Sequence, residues 1–421
     1  MPRRLTEFFT KIHHAIPLFE EARFIQSYDS GEARRDLIVA IVAITAKLLG
    51  PIYYWTPENL SLCANSLLVS SLSGVDSDNP QGRLVDFQLE CLLSYYEFHQ
   101  FPGPKSCLRI ARLSRRAYSV GLHQIENPRL CSAFDAASAT AEAIEDWRYV
   151  WWSVYCLDSY SSISSGTPYA TDEQSLNTAL PTRSFDNGFK ASCESSSPKM
   201  FLPYETSELW RVAQAIVSHG ELVSYRIYIV VTMMIRQAGS ILRLRTERGL
   251  GCFPERTMSV KTSLASLRLA LPPRYLDPTR NVLNGETAPE HHIRLTNVLV
   301  LHMARIMVSL PARLSSGEDG WITSWEETIS TAECIVQVVE QWDTRFSLHA
   351  DPAICFIVFL ALFLLNLHRR YNNQRGGLAV ASQNETILLL FLKQFGKFWS
   401  LPRVLGGTTP QTPYHPISHS Y

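Results

Sequence analysis

The sequence lacks any close pair of cysteines. Nine cysteines are spread over 421 residues, and no two of them lie closer than 16 positions. Zinc sites and small disulfide frameworks need cysteines at short, regular spacings, so the sequence predicts neither. Cys355 stands in the apolar stretch 353–356, as expected for a buried free thiol in a reducing compartment. We expect no metal and no cofactor.

The chain also lacks an excess of charge of either sign. Lysine plus arginine and aspartate plus glutamate both number 39, so the formal net charge is zero. A neutral chain has no overall field that would attract it to DNA, RNA or anionic lipid, and nucleic-acid binding would require a local basic patch. Hydrophobic residues make up 46% of the chain, which predicts a folded protein with a large core.

No apolar run is long enough to span a membrane. The most apolar stretch, 354–365, is shorter than the roughly 20 residues of a membrane-spanning helix and is followed by Asn366 and His368. We interpret it as a buried core helix. The first residues, 1–8, are not followed by the apolar segment of a secretory signal, so we expect neither secretion nor membrane insertion.

The common enzyme signatures are missing. There is no nucleophile elbow, no phosphate-binding Walker loop and no dinucleotide-binding glycine pattern; the Gly-x-Gly at 249–251 does not continue into one. Adjacent histidines occur at 13–14 and 291–292, but neighbouring side chains on a helix point about 100° apart. We interpret these histidines as surface residues. A helical enzyme without a recognisable motif remains an alternative.

Strand-like alternation is scarce, and apolar residues recur at spacings of three and four. This periodicity predicts an all-α fold of many helices. A polar segment rich in serine, proline and Asn-Gly predicts an exposed loop at 186–204, and the proline-containing end predicts a disordered tail at 401–421. Helices are predicted at about 5–26, 32–49, from Pro57, 84–98, 104–120, 136–163, 205–247, 292–314, 321–345, 352–371 and 384–399.

The most informative segment is 147–168, which reads as a helix followed by a turn. Tryptophans lie on two adjoining faces, so the helix is predicted to be buried. Asp158 shares a face with Trp151, and a carboxylate in such surroundings must find donors or lose its charge. We interpret it as a structural anchor. Its candidate partners are Ser161, Ser162 and the arginines of the preceding helix, Arg109, Arg112, Arg115 and Arg116.

Two glycines are predicted to end helices. Gly121 follows the amphipathic helix that begins at Pro104, and Gly166 follows the tryptophan-bearing helix. Glycine lacks a Cβ and therefore adopts the left-handed conformation common just after a helix. Pro168 then fixes an extended stretch that leads to Leu180-Pro181.

This pattern resembles the regulatory, or middle homology, domain of fungal binuclear zinc-cluster transcription factors. The resemblance covers about residues 5–185, whereas residues 200–400 match only as generic helices. It predicts a first half of the domain at 1–185 and a helical second half at 205–400. The matching positions are Arg148, Trp151, Trp152, Asp158, Ser162, Gly166, Pro168 and Leu180-Pro181, preceded by Ala117, Gly121, Leu122 and His123, by the tyrosine-rich 92–96, and by 8–13, Pro17-Leu18 and 40–43.

The resemblance implies a nuclear transcription regulator rather than an enzyme. It implies partners that are other transcription factors or co-regulators, contact in a homo- or heterodimer, a small-molecule effector, and target genes such as those of secondary metabolism or nutrient use. The residues that match the family pattern are then structural rather than catalytic.

One departure from the family pattern is the missing six-cysteine zinc cluster. We therefore expect regulation through protein contacts, with no sequence-specific DNA binding by this chain alone. The basic positions Arg109, Arg112 and Arg116 are interpreted as a solvated face or a source of ion pairs, not as a phosphate-binding surface. The alternative is that the chain is a fragment of a full zinc-cluster DNA-binding activator.

Overall fold

The computed structural model describes residues 3–50, 56–73, 83–135, 139–182, 198–219, 223–248, 254–311, 318–373 and 381–407. Within these ranges all regular secondary structure is helical and no strand occurs, which confirms the predicted all-α class. The α-helices are α1 Arg3–Lys11, α2 Glu21–Asp29, α3 Arg35–Leu49, α4 Pro57–Ser73, α5 Leu84–Gln100, α6 Pro104–Ser119, α7 Ala141–Ser165, α8 Leu209–His219, α9 Val223–Arg248, α10 Pro254–Ala270, α11 Ala288–Ser309, α12 Glu318–Glu340, α13 Ile354–Asn373, α14 Ala381–Phe395 and α15 Ser400–Gly407.

The predicted helix ends are found where the sequence carries capping residues. The hydroxyl of Thr56 accepts a hydrogen bond from the backbone N–H of Asn59 at 3.3 Å, so Thr56 caps α4. Gly121 has φ 79° just beyond α6, and Gly166 has φ 69° just beyond α7. Both glycines adopt the left-handed conformation that was expected of them.

Two predicted long helices are interrupted. The helix predicted over 5–26 is divided into α1 and α2, with Pro17 between them. A proline disfavours helical geometry at the residue before it, and Ile16 accordingly has φ −143° and ψ 80°, so no helix continues through Pro17. The helix predicted over 205–247 is likewise divided into α8 and α9.

The second half contains one helix that the periodicity did not reveal. Helix α10 occupies Pro254–Ala270, a range predicted only as connection. It buries Val260, Leu264 and Leu267 but exposes Leu269. Because apolar residues lie on both the buried and the exposed face, the sequence shows no single apolar stripe of the kind that identifies an amphipathic helix.

The helical part of the chain extends beyond 400, where the disordered tail was predicted to begin. Helix α15 runs to Gly407 and buries Leu401 and Pro402; residues 408–421 lie outside the described ranges. Most of the predicted loop 186–204 also lies outside them. At its end, Met200 and Leu202 are buried, and the carbonyl of Met200 accepts a 2.7 Å hydrogen bond from the N–H of Leu180.

The core is one continuous cluster that includes side chains from α1 to α14. Helix α11 lies near its centre and is buried along most of its length, with α9, α12, α10 and α13 packed around it. Two helices, at Val223–Glu247 and Ile354–Tyr371, are long and apolar enough to cross a membrane, but a core helix passes the same test. Since α9 and α13 pack against other helices, we treat both as core helices, as predicted for 354–365.

Candidate functional site

Asp158 is buried at the centre of the family-motif segment on α7, with 2% of its surface exposed. Its carboxylate accepts hydrogen bonds from the Thr171 hydroxyl at 2.7 Å and from the backbone N–H groups of Ala170 and Thr171 at 3.0 and 3.1 Å. The extended stretch after α7 therefore folds back over the carboxylate and supplies most of its donors. These bonds replace the water that burial removes.

The positive partner of Asp158 is Arg236 of α9, whose side chain is 1% exposed. One guanidinium nitrogen lies 3.1 Å from the Asp158 carboxylate, Nε donates to Glu173 at 2.7 Å, and Nη2 donates to the Thr171 carbonyl at 2.7 Å. The guanidinium also lies over the rings of Tyr155 and Tyr169, with 4.5 and 4.0 Å to their centroids. This cluster joins α7, the stretch after it and α9.

The candidate arginine partners from α6 were wrong. Arg109 instead pairs with Glu97 and donates to the Leu68 carbonyl at 2.6 Å, and Arg116 pairs with Glu90 at 2.6 Å. The interpretation of this basic face as a source of ion pairs is correct for both side chains. Of the predicted serine partners, Ser162 has its hydroxyl 3.5 Å from the Asp158 carboxylate and 3.4 Å from the carbonyl of Pro168.

Arg148 is held by two acidic side chains. Its Nε and Nη2 lie 2.8 and 2.6 Å from one oxygen of Glu126, and its Nη1 lies 2.7 Å from Glu145 of the same helix. Lys199 approaches the other oxygen of Glu126 at 2.5 Å. Burial raises the pKa of Glu126, but Lys199 and Arg148 lower it by more, so its pKa lies below the ordinary value and it stays ionised near neutral pH.

The two motif tryptophans are fully buried and pack in different directions. Trp152 donates from its indole N–H to the carbonyl of Ala179 at 2.8 Å, which fixes the chain before Leu180. Trp151 meets Tyr118 edge to face at 5.6 Å, and the ring of His123 lies 4.2 Å from that tyrosine, centroid to centroid, at an angle of 30°. Burial lowers the pKa of His123, so its imidazole is neutral near neutral pH.

Gly121 brings His123 to this aromatic cluster. A Cβ on Gly121 would collide with the carbonyl oxygen of Leu130 and lie 2.7 Å from the Cα of Cys131. The position therefore requires glycine for its φ and for its space. Gly166 has the same backbone conformation but no heavy atom within 4 Å of a built Cβ.

The nine motif residues thus lie on α7 or close to it, and none of them lines the cavity formed with α9 and α11. The side chains of Arg148, Trp152 and Asp158 bond to other protein groups, whereas the indole nitrogen of Trp151 and Nδ1 of His123 are buried without a hydrogen-bond partner among the described residues. The structural role of the nine motif residues stays a prediction. The positions are Arg148, Trp151, Trp152, Asp158, Ser162, Gly166, Pro168, Gly121 and His123.

A cavity lies between the two halves of the chain. It encloses about 890 Å³ of space not filled by atoms, including its open mouth. Its walls come from the segment after α1, from α7, from α9, from α11 and from the turn before α13. The lining side chains belong to His13, His14, Ala15, Pro17, Tyr149, Tyr225, Tyr228, Pro289, His292, Ile293, Thr296, Phe346, His349, Ala350 and Asp351.

Stacked rings form much of the cavity wall. His14 stacks on His349 with centroids 4.7 Å apart, and Tyr149 stacks on Tyr225 at 5.5 Å. Each pair joins one residue of the first half to one of the second. The cavity is therefore formed only when both halves pack together.

The interpretation of the adjacent histidines as surface residues is wrong for three of the four. His13, His291 and His292 are all about 95% buried. His292 donates from Nδ1 to the Ala288 carbonyl at 2.7 Å and accepts at Nε2 from the N–H of Asp343 at 2.9 Å, which requires the neutral form. Burial accordingly lowers its pKa. His13 accepts at Nε2 from the N–H of Phe19 at 3.1 Å.

Asp351 is the acidic residue of the cavity wall. Its Oδ1 lies 3.0 Å from Nε2 of His99 and accepts a hydrogen bond from the N–H of Ala353 at 2.8 Å. The other imidazole nitrogen of His99 donates to the carbonyl of Tyr95 at 2.9 Å. The carboxylate is thus anchored through one oxygen, and the described residues give Oδ2 no hydrogen-bond donor.

Four histidines and an aspartate line the cavity, but in the described part of the chain they are not arranged as a metal site. Among the described residues no group of three histidine, cysteine, aspartate or glutamate side chains is placed to hold a metal ion. The sequence did not reveal the cavity because its walls come from five separate segments. Its only local signals were the two histidine pairs.

The comparisons with known proteins agree with the motif. Residues 5–226 match the family model described as the fungal specific transcription factor domain. No curated protein and no solved structure matches the chain. The matched range is more than half of the chain, contains all nine motif positions and belongs to a family of transcription regulators rather than enzymes. We conclude that the chain belongs to the fungal specific transcription factor domain family.

Proposed function

We propose that this domain acts in the nucleus, regulates transcription through contacts with other transcription factors or co-regulators, and changes its output when a small molecule occupies the cavity. Family membership supports transcriptional regulation. The observation that carries the effector is the position of the cavity: both halves of the domain contribute stacked rings to it.

A ligand in this position would affect how the halves pack. It would contact α7 through Tyr149 and α9 through Tyr225, the same two helices that Asp158 and Arg236 join. A ligand shifts an equilibrium only by its difference in affinity for the two states. A site made of both halves supplies that difference, because separating the halves removes one wall.

Tethering tests the proposal. The chain is fused to an unrelated DNA-binding domain, and the output of a reporter gene is measured in a fungal host. Ile293→Trp adds a large ring to the cavity wall. It is expected to change the output, either because the ring occupies the space of a bound effector or because it prevents the effector from binding. Leu269→Trp, at a position 87% exposed on α10, is the matched control and should leave the output unchanged.

Two results would contradict the proposal. If the tethered chain has no effect on the reporter, its role as a regulator fails. If it has an effect that Ile293→Trp and Leu269→Trp leave equally unchanged, control through the cavity fails. Thermal melting of both variants is measured alongside, so that loss of the fold is not mistaken for loss of control.

A further inference from the structure

We propose that the cavity binds a small organic cation, an ammonium group carried on an apolar or aromatic body. The inference rests on the proposed effector-responsive function and adds the chemical class of the effector. It depends on three properties of the wall: its one acidic group, its aromatic rings and two neutral histidines, His13 and His292.

The acidic group is Asp351. No arginine or lysine is among the lining residues that the structure describes; the basic group next to the carboxylate is the imidazole of His99, whose Nε2 lies 3.0 Å from Oδ1. Its Oδ1 is used by His99 and by the backbone of Ala353, whereas the described residues leave Oδ2 without a hydrogen bond. An ammonium group can donate a hydrogen bond to this oxygen, whereas a ligand carboxylate or phosphate has only acceptor oxygens and would leave Oδ2 without a donor.

The aromatic faces supply the second element of cation binding. Tyr149, Tyr225 and Tyr228 line the cavity. The ring of Tyr225 stacks on both others, with its centroid 5.5 Å from that of Tyr149 and 6.4 Å from that of Tyr228. Phe346 lies on another part of the wall and stacks on His292 at 4.2 Å. The faces of such rings carry negative potential and attract ammonium groups, most strongly where water is excluded.

The third element is the state of the histidines. His292 is neutral because its Nε2 accepts a hydrogen bond, and burial lowers its pKa. His13 also accepts at Nε2, so it too is neutral in this arrangement. Two histidines of the wall therefore add polar, uncharged surface and no repulsion toward a cation.

Binding is measured by calorimetry with the purified full chain near neutral pH and at physiological ionic strength. The probes share one body: 2-phenylethylammonium is the cation, 2-phenylethanol is the neutral form and phenylacetate is the anion. We expect the cation to bind about tenfold more tightly than the alcohol, and the anion to bind most weakly. Equal binding of cation and alcohol, tighter binding of the anion, or no binding of the cation would overturn the inference.

Variants locate the binding. Asp351→Asn keeps the shape of the side chain and should remove most of the preference for the cation over the alcohol. Glu255→Gln, at an exposed position on α10, removes the same charge elsewhere and should keep the preference. Tyr225→Leu removes one aromatic face and should also reduce the preference. If Asp351→Asn does not fold, Tyr225→Leu alone tests whether the cation binds in the cavity. A preference for the cation over the alcohol that is unchanged in a folded Tyr225→Leu protein would contradict binding there.

The two proposals fail separately. If none of the probes shows cation selectivity but Ile293→Trp still alters the tethered reporter, the regulatory function stands and the cation is wrong. If the cation binds selectively but the reporter is inert, the binding site stands without the regulatory function.

Discussion

Asp158 and Arg236 are the residues on which the packing of α7 against α9 depends. Both side chains are almost fully buried, and the carboxylate accepts three hydrogen bonds from Ala170 and Thr171 besides the pair with Arg236. A buried ion pair adds little net stability by itself, but removing one partner leaves the other charge without compensation in a medium that solvates it poorly.

We therefore expect Asp158→Asn to lower the free energy of unfolding by about 3 kcal/mol, and Arg236→Met by a similar amount. The double variant should be less destabilised than the sum of the two, because position 158 then carries no charge that needs Arg236, although Glu173 still loses this partner. Denaturant unfolding of the three variants gives the coupling energy. Strict additivity, or an Asp158→Asn variant as stable as the wild type with altered reporter output, would contradict the structural role.

Gly121 and Gly166 form a natural pair for testing what glycine contributes. Both have positive φ, but a Cβ at Gly121 would meet the backbone of Leu130 and Cys131, whereas a Cβ at Gly166 meets nothing within 4 Å. Gly166→Ala should cost about 1 kcal/mol, the penalty of a left-handed alanine. Gly121→Ala should cost clearly more, because the backbone after α6 must also move. Thermal melts compare them directly, and equal losses would show that the overlap is relieved without cost.

The sequence predicted part of this residue-scale chemistry. The helical period placed Asp158 beside Trp151 and required donors for its carboxylate, and Gly121 and Gly166 were correctly assigned to helix ends. The identity of the arginine was not predictable, because Arg236 lies on a different helix far along the chain. Local spacing restricted the search to α6, whose arginines Arg109 and Arg116 instead pair with glutamates of α5.

At the scale of helices, α11 carries a buried histidine that makes stability depend on pH. Burial, together with the charges of Arg268 and Arg305, lowers the pKa of His302 from 6.5 to about 4. Above pH 6.5 the imidazole is neutral in both the folded and unfolded chain. Below it the unfolded chain takes up a proton that the folded chain does not, so stability falls.

The predicted loss between pH 6.5 and 4 attributable to His302 is about 3 kcal/mol. His302→Gln cannot take up this proton, so its stability should decline less steeply over the same interval, whatever its stability at neutral pH. Denaturant unfolding at several pH values measures both slopes. Parallel slopes for the wild type and the variant would show that His302 is not responsible.

Helix α13 exposes apolar side chains at a spacing of four. Phe363, Leu367 and Tyr371 are 53%, 45% and 54% exposed, respectively. A stripe of this kind suits contact with a second protein chain better than contact with water. We expect Leu367→Asp to reduce the output of the tethered reporter without lowering the melting temperature, and Leu269→Asp on α10 to leave both unchanged. Unaltered output for Leu367→Asp would exclude the stripe as a contact surface.

Helix existence was easier to predict than helix boundaries. Caps such as Thr56 and Gly121 identified ends that tertiary packing does not alter. The break between α1 and α2 was missed although Pro17 signals it, because apolar residues continue at helical spacing on both sides. Helix α10 was missed because its apolar residues lie on two faces, one buried at Leu264 and one exposed at Leu269.

At the scale of the whole molecule, the two halves are joined by contacts that no local pattern shows. Besides the Asp158–Arg236 pair, the guanidinium of Arg226 donates to the carbonyl of Pro181 at 2.6 Å, and the N–H of Ser400 donates to the side-chain oxygen of Gln100 at 3.3 Å. The resemblance identified the first half by its motifs. It could not place the cavity, because that site exists only where segments distant in sequence meet.

These contacts between the two halves predict how the chain unfolds. The range that matches the family model ends at residue 226, just inside α9. A fragment 1–226 would lack Arg236, so Asp158 and Glu173 would lose their positive partner, and the face of α7 that packs on α9 would be exposed to water. Such a fragment buries too little apolar surface and leaves a buried carboxylate uncompensated.

We therefore expect the fragment 1–226 to show no cooperative thermal transition and to bind a hydrophobic dye. A chain ending at residue 407, which keeps every described helix, should melt in one transition like the full chain. Far-ultraviolet circular dichroism and tryptophan fluorescence follow the melts, because the first reports on the helical backbone and the second on the surroundings of the nine tryptophan side chains. If the two signals change together in the chain ending at 407, the halves fold as one unit. A sharp melt of fragment 1–226, or two separate transitions in the longer chain, would show that the first half folds independently and that the contacts of Arg236 only dock it against the second half.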